Sequence, residues 1–312
     1  MEKIATREAY GKALAQLGEE RADVVVLDAD LAKSTKTIDF AKRFPERFFD
    51  MGVAEANMVG TAAGFAAAGK IPFCSTFAVF AAGRAFDQIR QSVANTRLNV
   101  KIAATHAGLT VGEDGSSHQS VEDIALMRSL PNMTVFVPAD AVEVYGAVRA
   151  AVNINGPVYI RLGRSAVPIL HDQGFSFTPG KAVKLRSGND AAVIACGIMV
   201  AEALRAAELA AEEGLSVAVI DMHTIKPLDV EAVVEAARAS GAVVTAEEHS
   251  VIGGLGSAVA ETLVENFPVP MKRVGVMDTF GESGKPAELL EKYGLTTASI
   301  LAAVKEVVAR KG

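Results

Sequence analysis

The chain has 312 residues, half of them hydrophobic, with a net charge of −6, two cysteines and no tryptophan. That length sets a prior of roughly two domains, and the lack of any basic block argues against nucleic acid as a partner. No uncharged apolar run reaches the ~18 residues that a membrane-crossing helix needs. The opening MEKIATREAYG has no signal-type apolar core, so a cytoplasmic protein without membrane attachment is expected. Cys74 and Cys196 lie in apolar, strand-like runs and read as buried thiols of a reducing compartment.

Arg7–Glu20 has helical periodicity, with Ala9, Leu14 and Leu17 on one stripe. Val24–Leu27 is a short β-branched run suited to a buried parallel strand, and it leads into Asp28-Ala29-Asp30-Leu31-Ala32-Lys33-Ser34. Ligands of open parallel sheets sit beyond the carboxyl ends of strands, which makes Asp30 and Ser34 candidates. Capping of the next helix is the alternative. A strand at Arg47–Met51 precedes the stretch around which the chain is organised. There Glu55 is a lone carboxylate heading the uncharged run Ala56–Gly69, in a first turn where the helix dipole favours an acid. A helix is expected over Glu55–Ala68, so rich in Ala and Gly that its neighbours can approach closely. Strand Pro72–Thr76 follows, then the aromatics Phe77 and Phe80, a helix over Gly83–Asn95 and a strand over Val100–Ala104.

Thr105–Gln119, THAGLTVGEDGSSHQ, is the longest non-periodic stretch of this half. Long loops in compact domains are usually functional, and this one carries His106, Asp114 and His118. A helix over Val121–Ser129, a strand within residues 131–140, a helix over Ala141–Val152 and a strand over Val158–Leu162 complete the first unit. Arg164 follows that last strand at the same sheet edge, and Arg161 within it is the rival cation.

Pro168–Ser187, rich in Gly, Pro and Lys, reads as a linker, giving domains at 1–170 and 188–312 joined by 171–187. The second unit repeats the alternation: strand Ala191–Cys196, helix Val200–Glu213, strand Ser216–Ile220, helix Val230–Ala239 and strand Ala242–Ala246. A helix over Leu255–Val264, a strand over Lys272–Val276 and a helix over Thr297–Ala309 close it. The whole pattern predicts an α/β protein of two consecutive doubly wound domains with mostly parallel sheets. Gly253-Gly254-Leu255-Gly256 offers an anion cradle at a helix start. His223 and His249 read as structural or as part of a subunit contact.

GVAEANMVG (residues 52–60), TFAVF (76–80) and RAFDQIR (84–90) resemble the thiamine-diphosphate enzymes of the transketolase type. ADLAKS (29–34) resembles that family's ADL-x-x-S segment. Residues 105–119 resemble its THD-x-x-GLGEDGPTHQ loop, with Ser116 in place of the proline. VIDMHTIKPLD (219–229) and EEHSVIGGLG (247–256) are similar to the C-terminal domain that transketolases share with 2-oxo-acid dehydrogenase beta subunits. The resemblance implies a pyrimidine-binding domain followed by a transketolase C-terminal domain, with thiamine diphosphate as cofactor. Glu55 would then bond the cofactor's aminopyrimidine ring, Phe77 and Phe80 would form the apolar wall beside it, and Asp30 would lie near the thiazolium across a subunit interface. His106 and His118 would take part in catalysis. Asp114 and His106 would contact the sugar, and Arg164 and Ser34 its phosphate. Gly83 stands where transketolases usually carry a tyrosine, so the pocket is expected to be completed differently.

Enzymes of this type hold the diphosphate and Mg2+ through a GDG motif followed by an Asn pair. Here Glu113-Asp114-Gly115 belongs to the substrate loop, and no carboxylate/Asn cluster suits the octahedral oxygen site of Mg2+. The resemblance therefore implies a split enzyme with no metal ligand on this chain. A separate N-terminal subunit would carry the GDG motif and the Mg2+ ligands, in a heterotetramer of two plus two. The expected reaction is transfer of a two-carbon ketol unit between sugar phosphates in the pentose phosphate pathway. RAFDQIR is also close to dehydrogenase beta subunits and to deoxyxylulose-phosphate synthase, which keeps those as the alternative. A non-catalytic regulatory subunit of the same fold is a third reading, against which Glu55, His106, Asp114 and His118 stand.

Overall fold

The computed structural model describes residues 2–172 and 174–311; residue 173 of the expected linker lies outside them. The first unit runs β1 (Lys3–Ala5), α1 (Thr6–Glu20), β2 (Val24–Asp28), α2 (Ala32–Thr35), α3 (Ile38–Arg43), β3 (Phe48–Asp50), α4 (Glu55–Ala67), β4 (Ile71–Phe77), α5 (Phe86–Gln88) and β5 (Lys101–Thr105). It continues through α6 (Asp123–Ser129), β6 (Thr134–Phe136), α7 (Ala141–Asn153), β7 (Val158–Arg161) and β8 (Ala166–Pro168). The second unit begins with β9 (Val183–Arg186), β10 (Ala191–Ala195), α8 (Met199–Glu212), β11 (Val217–Asp221) and β12 (Thr224–Lys226). It ends with α9 (Val230–Ser240), β13 (Val243–Ser250), α10 (Leu255–Asn266), β14 (Met271–Val276), α11 (Pro286–Lys292) and α12 (Thr297–Ala309).

Every residue of β2, β4 and β5 is buried, as continuous apolar strands covered on both faces require. They form the middle of a seven-stranded sheet of order β12-β6-β7-β5-β4-β2-β3, parallel throughout except for β12. The second sheet has the order β14-β13-β10-β11-β9, with β9 the antiparallel edge. Both are the doubly wound α/β arrangement that the alternation predicts. One apolar cluster runs without a break from Leu27, Met58 and Ile102 through Met133 and Val135 to Ile194, Ile220 and Leu255, so the two units share a core. Cys74 and Cys196 are free and buried within it. No helix among the described residues is long and apolar enough to cross a membrane.

Four features depart from the sequence reading. β1 pairs antiparallel with β8 and ties the N-terminal residues beside Gly163. β9 lies inside the expected linker, where its Val-Lys-Leu-Arg alternation is hidden among Gly, Pro and Lys. β12, from the second unit, closes the β6 edge of the first sheet; three residues are too few to display a period-2 pattern. The expected helix over 83–95 instead starts at Ala78 and contains two π-helical turns, Phe80–Arg84 and Ile89–Ala94, on either side of α5. Such turns often accompany functional sites.

Candidate functional site

Parallel strands β2, β3, β4, β5 and β7 all end on one edge, and the chain that leaves each of them carries a candidate residue. Glu55 opens α4 just after β3 and is 4% exposed. Arg84 Nη1 donates to its Oε1 at 3.1 Å. The same guanidinium lies 4.1 Å from the centre of the Phe80 ring, a cation–π distance. Phe80 is nearly parallel to Phe77, with centroids 5.8 Å apart, and Phe77 in turn stacks on His106 at 3.8 Å. His118 stands edge-on to both phenyl rings at 6.1 and 5.4 Å. Acid, cation, two phenyl rings and imidazole thus form one row. Beside it Gly83 faces open space.

His106 is buried, with φ at 56°, in the left-handed region. Its Nδ1 lies 2.8 Å from Thr105 Oγ1, and its Nε2 lies 3.3 Å from Arg7 Nη1. A guanidinium can only donate, so Nε2 accepts and the proton sits on Nδ1. Burial, then the charges of Arg7, Arg164 and His118, push the imidazole down to about 3, which keeps it neutral. Arg7 also donates to the Ser34 carbonyl at 2.9 Å, and its Nε has no protein partner. Nothing local marks Arg7, which opens a helical stretch whose apolar stripe is Ala9, Leu14 and Leu17. Only the fold brings it here: Gly163 N–H donates to Thr6 Oγ1 at 2.7 Å and sets the start of α1 beside the chain that follows β7.

Asp28, at the end of β2, fixes the segment bearing Asp30 and Ser34. Its carboxylate accepts from Leu31 N–H at 2.6 Å, Thr35 Oγ1 at 2.7 Å and Thr37 Oγ1 at 2.8 Å. Burial nevertheless raises it to about 6. Asp30 has φ at 61° and donates its N–H to Asp50 Oδ1 at 3.1 Å, leaving its side chain exposed. Left-handed backbone at a non-glycine residue costs roughly 1–3 kcal/mol and persists where its surroundings enforce it.

Loop 105–119 is built on the second unit. Glu248, on β13, accepts from Thr110 N–H at 2.6 Å, and a Cβ at Gly108 (φ 81°) would collide with that carboxyl group. Gln119 Nε2 donates to the carbonyls of Leu109 (3.2 Å), Gly112 (3.3 Å) and Glu282 (2.9 Å), joining the loop to the chain ahead of α11. Arg164 Nη1 donates to the Val111 carbonyl and, at 3.3 Å, to Asp114 Oδ2. Ser117 Oγ and His118 Nδ1 are 2.9 Å apart. Arg161, the rival to Arg164, is buried and bound to Asp123 at 2.9 Å and to the carbonyls of Ser120 and Glu248, so its donors are turned inward.

At the start of α10 the anion is the chain's own. Glu247 accepts the N–H groups of Leu255 and Gly256, each at 2.7 Å, and fills the cradle that the glycine run offers. His223 and His249 are buried among their neighbours: His223 Nδ1 is 2.9 Å from Thr224 Oγ1, and His249 Nδ1 is 2.7 Å from the Ser250 carbonyl. Among the described residues one group, Glu143, His171 and Asp221, brings three metal-type ligand atoms together, and it shares no member with the row above.

The family model described as transketolase, pyrimidine binding domain matches residues 2–169, and that described as transketolase, C-terminal domain matches residues 180–300. The chain is 49% identical over 303 residues to a putative transketolase C-terminal section from Methanocaldococcus jannaschii, covering 96% of itself and 95% of the relative. It is 47% identical over 311 residues to the 6-deoxy-6-sulfo-D-fructose transketolase subunit SqwH from Clostridium sp., covering 100% of itself and 97% of the relative. A solved structure described as a split gene transketolase, inactive beta4 tetramer, is 60% identical with a TM-score of 0.94, the match covering 99% of this chain and 100% of that one. By contrast, the chain spans 50% of the length of the mammalian transketolases that it matches.

Proposed function

The chain belongs to the transketolase family, and on that premise we propose that it is the C-terminal subunit of a two-chain, thiamine-diphosphate-dependent transketolase. It would move a two-carbon ketol unit between sugar phosphates only when a separate subunit supplies the ligands for the diphosphate and Mg2+. The observation that carries this reading is the row from Glu55 through Phe80 and Phe77 to His106: a buried acid beside a flat apolar wall, with cations beyond. A flat heterocycle stacked on Phe80 would take the place of the Arg84 guanidinium, and Gly83 leaves room beside it. The names of relatives that match it end to end support the split: a putative transketolase C-terminal section and a split gene transketolase, inactive beta4 tetramer.

Bound thiamine diphosphate would supply a nucleophilic carbon and an electron sink for carbon–carbon cleavage. Glu55 would exchange a proton with a nitrogen of the cofactor's aminopyrimidine ring. Phe77 and Phe80 would exclude water, so that charges in the site act at low dielectric. Asp30 would sit near the thiazolium across the subunit interface. His118, its Nδ1 held by Ser117, would use Nε2 as acid and base towards the sugar oxygens. His106 and Asp114 would hold the sugar itself. Arg164, Ser34 and Arg7 would take the substrate's anionic end, where a bidentate guanidinium suits a phosphate.

The name of the Clostridium relative favours a second reading, in which that anionic end is a sulfonate. The deciding experiment mixes this chain with its partner subunit, thiamine diphosphate and Mg2+. Xylulose 5-phosphate, 6-deoxy-6-sulfofructose or pyruvate is then offered with an aldose phosphate acceptor. Ketol transfer requiring both chains is the expected result, and its preferred donor separates phosphate from sulfonate. Consumption of pyruvate alone would point to a dehydrogenase or synthase, and turnover by this chain without a partner would sink the split-enzyme reading. The mass of the active complex tests the expected two-plus-two assembly.

A further inference from the structure

Glu143, His171 and Asp221 come from three parts of the chain: α7 of the first unit, the segment after β8, and the last residue of β11 in the second. All three side chains are buried. His171 Nε2 lies 3.7 Å from Glu143 Oε1 and 3.6 Å from Asp221 Oδ2. Glu143 Oε1, His171 Nε2 and both carboxylate oxygens of Asp221 have no hydrogen-bond partner. One ligand atom from each residue lies within 4.8 Å of the other two, and orphaned polar atoms gathered in a protein interior call for an occupant.

The far side of two of these ligands is already held. His171 Nδ1 is 3.1 Å from Asp140 Oδ2, which also accepts the N–H groups of His171 and Leu170 at 2.8 and 2.7 Å. A carboxylate accepts, so Nδ1 carries the proton of the neutral ring and Nε2 presents its lone pair inward. Metal-binding histidines are oriented by a carboxylate in this way. Glu143 Oε2 accepts Ala139 N–H at 2.7 Å, which leaves Oε1 facing the imidazole. Phe175 lies 4.3 Å from the imidazole ring and helps exclude water.

Ligand separations of 3.6 and 3.7 Å are close to the ~3.4 Å edge of a tetrahedron drawn with metal–ligand bonds of about 2.1 Å. Two carboxylates and a neutral imidazole also balance the charge of one divalent cation, removing the cost of two adjacent buried anions. We propose that Glu143, His171 and Asp221 bind a structural Zn2+ that clamps the two units together, with both Asp221 oxygens available to it and Asp140 orienting His171. This centre is separate from the cofactor's Mg2+ and independent of the proposed reaction. The rival occupant of the space is a proton shared between Glu143 and Asp221, both of which burial pushes well above the usual carboxylate range.

The test is Zn2+ content and uptake by the full chain, first stripped with a chelator and then titrated against a chromophoric competitor. One Zn2+ per chain is expected, with a thermal midpoint that rises with free Zn2+. His171→Asn should abolish tight uptake, and Asp140→Asn, which alters the orienting bond together with the backbone N–H groups of Glu143, Leu170 and His171 that Asp140 accepts, should weaken it about 10–100-fold. A folded wild-type chain that takes up no Zn2+, or whose midpoint ignores it, would overturn the proposal whether or not the variants fold. A metal-free Glu143→Gln chain more stable than wild type with Zn2+ would equally assign the space to the proton.

Discussion

Arg84 and Glu55 are joined by a hydrogen bond of 3.1 Å, and the same guanidinium lies 4.1 Å from the centre of the Phe80 ring. One cation therefore covers both the acid and the aromatic face proposed for the cofactor's ring. Arg84 is itself 55% exposed, but its partner Glu55 is only 4% exposed. Arg84→Ala leaves that buried carboxylate without its hydrogen bond and should cost about 1–3 kcal/mol of stability. It should lower the thiamine diphosphate concentration for half-maximal reconstituted activity by about 3–10-fold, by removing a competing closed state. A higher half-maximal concentration would instead make Arg84 part of the binding surface.

Glu55→Gln keeps the shape of the side chain and removes its exchangeable proton. Turnover with the partner subunit should fall by about 100- to 10,000-fold, while the complex forms with unchanged mass. Retention of a tenth or more of the activity would rule out the proton-transfer role.

Arg7 bears on both His106 and the anionic end of the substrate. Arg7→Gln removes one of the charges holding His106 down, so the imidazole signal in a histidine NMR titration should move to higher pH. The same variant should raise KM for a phosphorylated donor more than for its unphosphorylated analogue. Equal changes for the two donors would remove Arg7 from the phosphate site.

Glu248 links stability to pH. Burial raises its carboxyl from 4.5 to about 7, against the opposing pull of Arg161 and of the Thr110 N–H. Between those two values the native state binds a proton that the unfolded chain has released. The contribution of this group to stability is full below pH 4.5 and declines as pH rises towards 7 and above, a loss on the order of 3 kcal/mol. Glu248→Gln should flatten that part of the stability curve measured by urea unfolding at a series of pH values. An unchanged slope would mean the group is ionised throughout.

Gly281 approaches Gln119 so closely that a Cβ would collide with its Oε1. Gly281→Ala should displace the loop that carries His106, Asp114 and His118, cutting kcat/KM about 10–100-fold. Bound thiamine diphosphate should be unaffected. Loss of cofactor together with activity would show that the loop supports the pyrimidine pocket as well.

The parts of this site that are legible in the sequence are local ones. Glu55 stands at the head of an uncharged run, and two histidines share one glycine-rich loop, so each signal lies within a single short window. The doubly wound alternation is legible for the same reason. What stays hidden is long-range. Arg7 meets His106 only because β1 pairs with β8, and Gln119 reaches Glu282 across the unit boundary. Glu143, His171 and Asp221 form no spaced motif at all. The glycine run before α10 does display its anion-binding shape, but the sequence does not reveal that Glu247 already fills it.

The seam between the units is crossed by β12, which completes a sheet whose other six strands lie far upstream. That crossing matters if halves are exchanged between related chains at the glycine-rich connector. Such a hybrid would dock a foreign three-residue ribbon against β6, and a lone upstream fragment would expose that strand's unpaired amides as an adhesive edge. Chimeras should therefore keep residues 224–226 matched to their own β6.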